Sequence, residues 1–126
     1  YGGETGLEGD YAEDGRRCMP WDNLDHALIG DFKHAIHTRR DLLPLRYGDF
    51  ETLVIDDAQR VYAFARTYQG ETIYCAFNAS DAAASVTLTV GDGTWRDVLN
   101  NTACAVSGDQ LTAQIAPRSC AWFVKA

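Results

Sequence analysis

Arg60-Val-Tyr-Ala-Phe-Ala-Arg-Thr67 and Glu71-Thr-Ile-Tyr-Cys-Ala-Phe-Asn78, joined by Tyr68-Gln69-Gly70, form the stretch that decides the fold. Both halves are rich in β-branched and aromatic residues, and each sends its side chains alternately to two faces. A separator this short, with Gly at its end, predicts antiparallel neighbours joined by a hairpin. The same period of two recurs on either side, in the runs 49–55, 85–90, 94–99, 110–115 and 119–125. Between them lie the turn segments Asp56-Asp57-Ala58-Gln59, Gly91-Asp92-Gly93 and Ser107-Gly108-Asp109. Short strands at this spacing with no helices between them predict a mainly β fold, a two-layer antiparallel sandwich with Greek-key connections.

Upstream of Pro44 the period changes to that of a helix. Leu24, Leu28, Phe32, Ala35 and Ile36 recur at three- and four-residue spacing and share one face of a helix over 24–40. Asp22 is the expected N-cap and Pro44 the stop. His26, His34 and His37 fall on the opposite face, where water-facing histidines are the simpler reading and metal ligation is not expected.

The chain of 126 residues is long enough for one ordinary core, which buries roughly two thirds of the unfolded surface. Eleven Lys and Arg against 18 Asp and Glu give a net charge of −7. Outside Arg16-Arg17 and Arg39-Arg40 the basic residues are scattered, so no stripe can neutralise a run of phosphates and nucleic acid is not an expected partner. No segment reaches the roughly 18 apolar residues of a membrane span, so no membrane partner is expected either. Cys18, Cys75, Cys104 and Cys120 lack the CxxC spacing of zinc or redox sites. Cys75 alternates with Ile73 and Phe77, and Cys120 with Trp122 and Val124, as small apolar groups on buried strand faces do. Four free, inert thiols would lean towards a reducing, cytoplasmic compartment.

The aromatics Tyr62, Phe64, Tyr74, Phe77, Trp95, Trp122 and Phe123 all fall in these strands. Core roles account for most of them. Trp95, close behind Gly93-Thr94, is open to both a core role and a role stacking on a sugar face.

The first two dozen residues have a different character. Tyr1-Gly-Gly-Glu-Thr-Gly-Leu7 is followed by Arg16-Arg-Cys-Met-Pro-Trp21, so a Gly-rich loop bearing a carboxylate is closed by two cations and an aromatic. No hydrophobic strand precedes Tyr1 to hold this loop, and a supporting scaffold is expected upstream. Gly2, Gly3, Gly6 and Gly9 are read as turn residues rather than a phosphate cradle. No cofactor is called for.

The order of these blocks, Gly-rich loop, two arginines with Met-Pro-Trp, one amphipathic helix, then a β-sandwich, resembles the C-terminal part of an α-amylase-family glycoside hydrolase. Within that family it is most similar to the neopullulanase, cyclomaltodextrinase and maltogenic amylase group. Tyr1-Gly2-Gly3-Glu4-Thr5-Gly6-Leu7 echoes the end of the family's eighth barrel strand, and Asn78 echoes a strand of domain C that ends in Asn.

The resemblance implies that 1–43 is the end of a catalytic (β/α)8 barrel and 44–126 a C-terminal sandwich of the domain C type. It implies retaining hydrolysis of α-1,4 or α-1,6 glucosidic bonds by a larger parent protein, with an α-glucan or maltooligosaccharide as substrate. The nucleophile, the acid/base and the transition-state carboxylate would all lie upstream of Tyr1, leaving no catalytic residue in this chain. Arg16 matches the family's sugar-gripping Arg, but the Asp four positions before it is Ala12 here. Asp10 and Asp14 are the carboxylates placed to substitute as sugar acceptors. Glu4 has two readings, a buried structural acceptor or a direct sugar contact, of which the structural one is expected, with Arg17 and Trp21 packing as part of the loop.

The upstream barrel is then the expected partner of the sandwich and of the helix. The helix's apolar face would otherwise be a site of self-association. The competing reading is a carbohydrate-binding sandwich that works without chemistry.

Overall fold

The computed structural model describes residues 1–9, 11 and 16–126. It divides into two compact units, Tyr1–His37 and Thr38–Ala126, with the division inside helix α1, His26–Asp41.

In the first unit the chain makes a 3-10 turn at Gly3–Thr5, and further along it enters α1. The cap is Asp25, whose Oδ1 accepts the Leu28 backbone N–H at 2.9 Å, and not Asp22 as the sequence suggested. Asp22 lies too far upstream because a turn at Trp21 to Asn23, with the Asn23 N–H donating to the Pro20 carbonyl, precedes the helix. No residue of α1 is fully buried, and Phe32 and Ile36 of its apolar stripe lie exposed.

Pro44 does more than stop this helix. Leu42 is extended as the N-cap of a second, short helix α2, Leu43–Tyr47, and Pro44 sits in the first turn of that helix. A missing N–H costs nothing there. Leu45 on α2 is buried with Ile73, Cys75 and Val124 of the sheet beneath.

The second unit holds nine strands: β1 Asp49–Asp56, β2 Val61–Tyr68, β3 Glu71–Asn78, β4 Ala84–Thr89, β5 Trp95–Asp97, β6 Thr102–Cys104, β7 Val106–Ser107, β8 Gln110–Ile115 and β9 Ser119–Lys125. They form a six-stranded sheet in the order β1-β2-β3-β9-β5-β6 and a three-stranded sheet in the order β4-β8-β7. Every recorded pairing is antiparallel. The chain leaves the first sheet for β4, returns for β5, and comes back as β9 between β3 and β5, which is Greek-key rather than meander connectivity. The expected mainly β sandwich is the architecture found.

The hairpin of the opening stretch closes through Gln69 and Gly70 at φ 52 and 84, the two left-handed positions of a type I′ turn. That turn sets the register Tyr68↔Glu71 through Val61↔Asn78. Strand β4 alternates between buried and exposed along its whole length, sending Ala84, Val86 and Leu88 inward and Ser85, Thr87 and Thr89 to water. Facing them across the sandwich are Val61, Ala63, Ala76, Ala121 and Phe123 of the larger sheet. Leu111 and Phe123 are wholly enclosed, each contributing roughly 1.5–3 kcal/mol.

Trp95 belongs to this core: it is buried, its indole N–H donates to the Gly91 carbonyl at 2.9 Å, and Tyr74 meets it edge-on at 5.3 Å. Its two open roles resolve to the core one. Trp122 is half-buried on the opposite face of the sheet, and its Nε1 is buried with no acceptor among the described residues.

The strand expected over 94–99 ends at Asp97, and Asp97 itself is the reason. Its Oδ1 accepts the backbone N–H groups of Leu99 at 3.0 Å and Trp122 at 3.1 Å, while Asn100 donates its side-chain amide to Oδ2. A carboxylate that collects the donors of the next residues turns the chain out of the ladder. Strands β6 and β7 went unseen in the sequence because Thr-Ala-Cys-Ala-Val-Ser carries little apolar contrast over so few residues.

Candidate functional site

The loop that carries the expected sugar-binding groups is clasped at its base. Gly2 takes φ 75 so that its carbonyl can accept the N–H groups of both Thr5 and Leu7, each at 3.1 Å. Leu7 packs so close that a Cβ at Gly2 would lie 2.8 Å from Leu7 Cδ2. Thr5 is buried; its hydroxyl donates to the Gly2 carbonyl at 2.8 Å and reaches Met19 Sδ at 3.5 Å. The Tyr1 hydroxyl donates to the Arg17 carbonyl at 2.9 Å. Residues 1–7 and 17–19 are thereby tied together.

Tyr1 and Thr5 were not singled out by sequence reasoning. The signal available was a pair of hydroxyls in an otherwise Gly-rich run, and their partners lie 16 and 14 residues away, beyond the reach of any local pattern.

Arg16 and Arg17 are both exposed at the end of this loop. Asp10 and Asp14 lie outside the described residues. Glu4 departs from expectation: it sits exposed in the 3-10 turn, and no hydrogen bond to its carboxylate comes from another described residue. The turn is closed by the Gly2 carbonyl and the Thr5 hydroxyl, which leaves Glu4 no buried donors to collect. Trp21 is likewise 74% exposed and does not pack the loop shut. Its neighbour Met19 takes the inward role against Thr5.

In the second unit the titratable groups that depart from ordinary behaviour are structural. Burial, then the nearby Cys120, pushes the Cys75 thiol up to about 12 although Arg66 opposes this, so the thiolate is not formed near neutrality. Burial and the Asp97 charge raise Cys104 and Cys120 as well. Asp56 moves the other way: the Gln59 backbone N–H and side-chain amide hold its carboxyl below the usual 3.8. That is the reverse of what a general acid needs. All four thiols are free, and only Cys18 is exposed. Among the described residues no three His, Cys, Asp or Glu side chains gather as metal ligands would.

The most elaborate polar site is built around Asn78, which is 2% exposed at the end of β3. Its amide nitrogen donates to the carbonyls of Ala82 at 2.7 Å and of Ile115 and Ala116 at 3.1 Å. Its Oδ1 accepts the N–H and hydroxyl of Ser80 at 2.9 and 2.8 Å. One side chain thus pins the β3–β4 crossover to the end of β8, joining the two sheets. Such an arrangement holds a fold and offers no reacting group.

Residues 50–122 match the family described as the maltogenic amylase C-terminal domain. The chain is 35% identical to a cyclomaltodextrinase of Thermoanaerobacter pseudethanolicus, matching 90% of this chain but 20% of that enzyme. An amylopullulanase of Thermoanaerobacterium saccharolyticum is 30% identical over 91% of this chain and 10% of its own length. Among solved structures, an α-amylase of Anoxybacillus superposes with a TM-score of 0.89 at 29% identity, over 100% of this chain and 28% of that enzyme. The chain therefore spans a small fraction of each protein it resembles, and it belongs to the maltogenic amylase C-terminal domain family of the α-amylase-type enzymes.

Proposed function

We propose that this chain serves as the C-terminal part of an α-glucan-hydrolysing enzyme of the α-amylase family, its sandwich stabilising a catalytic barrel carried by the same polypeptide. The observation that carries the reading is the match over 90% of this chain to 20% of a cyclomaltodextrinase. The parent protein would cleave α-1,4 or α-1,6 glucosidic bonds with retention, using carboxylates outside this chain. Arg16 would contribute to a sugar subsite, donating to vicinal hydroxyls with Asp10 or Asp14 as acceptors.

The 126-residue chain alone is then inert towards glucans. Incubated with maltooligosaccharides it releases no reducing sugar, and measurable release would overturn the assignment. Isothermal titration with the same oligosaccharides separates the competing reading, because a saturable heat would mark a binding module rather than a structural domain. The helix stripe that includes Phe32 and Ile36 is the second surface through which the parent protein, or a second copy, would be engaged.

A further inference from the structure

Each sheet of the sandwich is open and ends in two edge strands, β1 and β6 in the larger sheet and β4 and β7 in the smaller. An edge leaves a row of backbone donors and acceptors for another strand to take. Three of these edges are blunted. Strand β1 carries Asp49, Glu51 and Asp56 and breaks its register between Thr52 and Val54. Strands β6 and β7 are only 3 and 2 residues long. Strand β4 has none of these protections: its 6 residues, Ala84–Thr89, pair with β8 in unbroken register. No charged residue or proline stands between Ala82 and Gly91.

The ladder decides which groups this edge offers. In an antiparallel pair, residues that bond to the neighbouring strand alternate with residues that turn their N–H and C=O away from it. The Val90 N–H donates to the Asp109 carbonyl at 2.7 Å, in step with the β4–β8 register, which assigns Ala84, Val86 and Leu88 to the bonded set. The Thr87 and Thr112 hydroxyls meet at 3.2 Å, the close side-chain approach of an opposed pair that is not backbone-bonded. Ser85, Thr87 and Thr89 therefore point their N–H and C=O away from β8. These residues are exposed, and among the described residues none bonds to the outward groups.

The edge is complementary to itself. Turned about a twofold axis at Thr87, a second copy sets Thr87 against Thr87 and Ser85 against Thr89, so each outward donor meets an outward acceptor. Hydroxyls then face hydroxyls, as those of Thr87 and Thr112 already do one strand further in. Ala84, Val86 and Leu88 stay on the apolar side in both copies. Charge agrees with this register. The net charge of −7 opposes association in general, but the paired segment is neutral and only its ends bring charges together, Asp81 against Gly93 and Asp92 of the second copy. Arg118 holds Asp81 at 2.6 Å and the Lys125 side chain lies against Gly93, so a base accompanies each acid.

We propose that β4 is a self-association edge, through which two copies of this chain join their three-stranded sheets into one continuous sheet by antiparallel β4–β4 pairing. About six hydrogen bonds and a narrow strip of side chains fall short of the roughly 1,000 Å² that a stable complex buries, so the dimer is weak and forms at high protein concentration. The pairing does not depend on what the parent protein hydrolyses.

Single cysteines on one face test it, each in a Cys18→Ser background that removes the exposed native thiol. Under mild oxidation Thr87→Cys is expected to form a covalent dimer about tenfold faster than Ser85→Cys or Thr112→Cys, because position 87 alone faces its own copy at a separation a disulfide can span. Mixing Ser85→Cys with Thr89→Cys is expected to restore the fast reaction. In equilibrium sedimentation, Thr87→Lys sets two cations at the axis, and Thr87→Pro removes an outward N–H without a bond to β8. Both are expected to weaken dimerisation about tenfold or more. Thr87→Lys should leave the Tm of the dilute chain unchanged, since Thr87 is exposed.

The pairing is overturned if sedimentation shows monomer alone up to about 1 mM. It is equally overturned if the three cysteines crosslink at one rate. A dimer that survives Thr87→Lys and is dissolved by Ile36→Lys would also overturn it, naming the exposed stripe of α1 as the contact.

Discussion

Replacing Asn78 by Ala asks how much of the sandwich hangs on one side chain. Three donor bonds cross to Ala82, Ile115 and Ala116, two of them spanning 37 and 38 residues of chain. The amide carries only two N–H groups, so the three acceptors share two donors, each worth about 1 kcal/mol net. The Ala82 carbonyl keeps the Ser80 hydroxyl at 2.8 Å, so its loss is softened. The Ile115 carbonyl loses its amide donor in a buried setting, where a stranded acceptor costs about 1–3 kcal/mol. The expected destabilisation is about 3 kcal/mol and, at roughly 4 °C per kcal/mol for a domain of this size, about 12 °C in Tm. Guanidinium titration followed by tryptophan fluorescence reads it directly, because Trp95 lies in the same core.

Asn78→Asp separates hydrogen bonding from shape. It is isosteric, yet it turns a donor that faces three carbonyl oxygens into an acceptor. The ionised form is disfavoured in the fold, so the carboxyl's folded pKa rises above its unfolded value of about 3.9. Between those two values the native state holds more protons than the unfolded state, so stability falls as pH rises through the window. Asn78→Asp is therefore nearest to wild type below about pH 4 and worst above it. An Asn78→Ala protein within about 2 °C of wild type, or an Asn78→Asp protein whose deficit does not vary with pH, would refute the reasoning.

Four further outcomes are expected. Gly48→Ala should cost about 2 kcal/mol or more in thermal unfolding, since a Cβ there would lie 2.5 Å from the Pro44 carbonyl and 2.9 Å from that of Thr67, and the Arg66 clamp on the Gly48 carbonyl at 2.7 Å would shift with it. A thiol reagent at pH 8 should label Cys18 quickly and Cys75 only on unfolding, because Cys18 is exposed while Cys75 is buried with its pKa near 12; in Cys18→Ser the fast phase should vanish. Asp56, with its folded pKa depressed, supports its turn fully above about pH 3.8 and loses that support as pH falls through the folded value; the Gln59 amide resonance should report this titration, and Asp56→Asn should abolish it. Tyr1→Phe removes the 2.9 Å bond to the Arg17 carbonyl, and trypsin should then cut at Arg16-Arg17 about 5-fold faster, the factor expected for roughly 1 kcal/mol of local opening.

The strands that sequence reasoning located best are those that alternate or are bracketed by clear turn residues. Strands β3, β8 and β9 have the expected bounds, because Leu111-Thr112-Ala113-Gln114 changes character at every residue and the apolar run of β3 lies between the Gln69-Gly70 turn and Asn78. The errors have a common cause, which is tertiary hydrogen bonding invisible to a local window. Asp97 ends β5 by gathering donors from Leu99 and from Trp122, 25 residues away. Asp22 was the expected cap, and the turn at Trp21 to Asn23 leaves that place to Asp25. Glu4 was expected to be buried because a carboxylate amid glycines suggests backbone donors, but Gly2 and Thr5 had already closed that turn. The residues expected to bind sugar were legible only as residue types in order, and the clasp between Tyr1, Thr5, Arg17 and Met19 is one that no spacing rule encodes.

The asymmetry of the sandwich also explains a feature of β3 that alternation alone misreads. Ile73, Cys75 and Phe77 look like the inward set because they are the apolar ones, yet the core between the sheets receives Ala76 and Tyr74 from this strand, while Ile73 and Cys75 join the cluster on the outer face. A strand that packs on both faces reads as nearly continuous apolar sequence, the pattern usual for strands covered on both sides. The small side chains Ala63, Ala65 and Ala76 face inward, where Phe123, Trp95 and Leu111 already fill the space, and the bulky rings are turned outward.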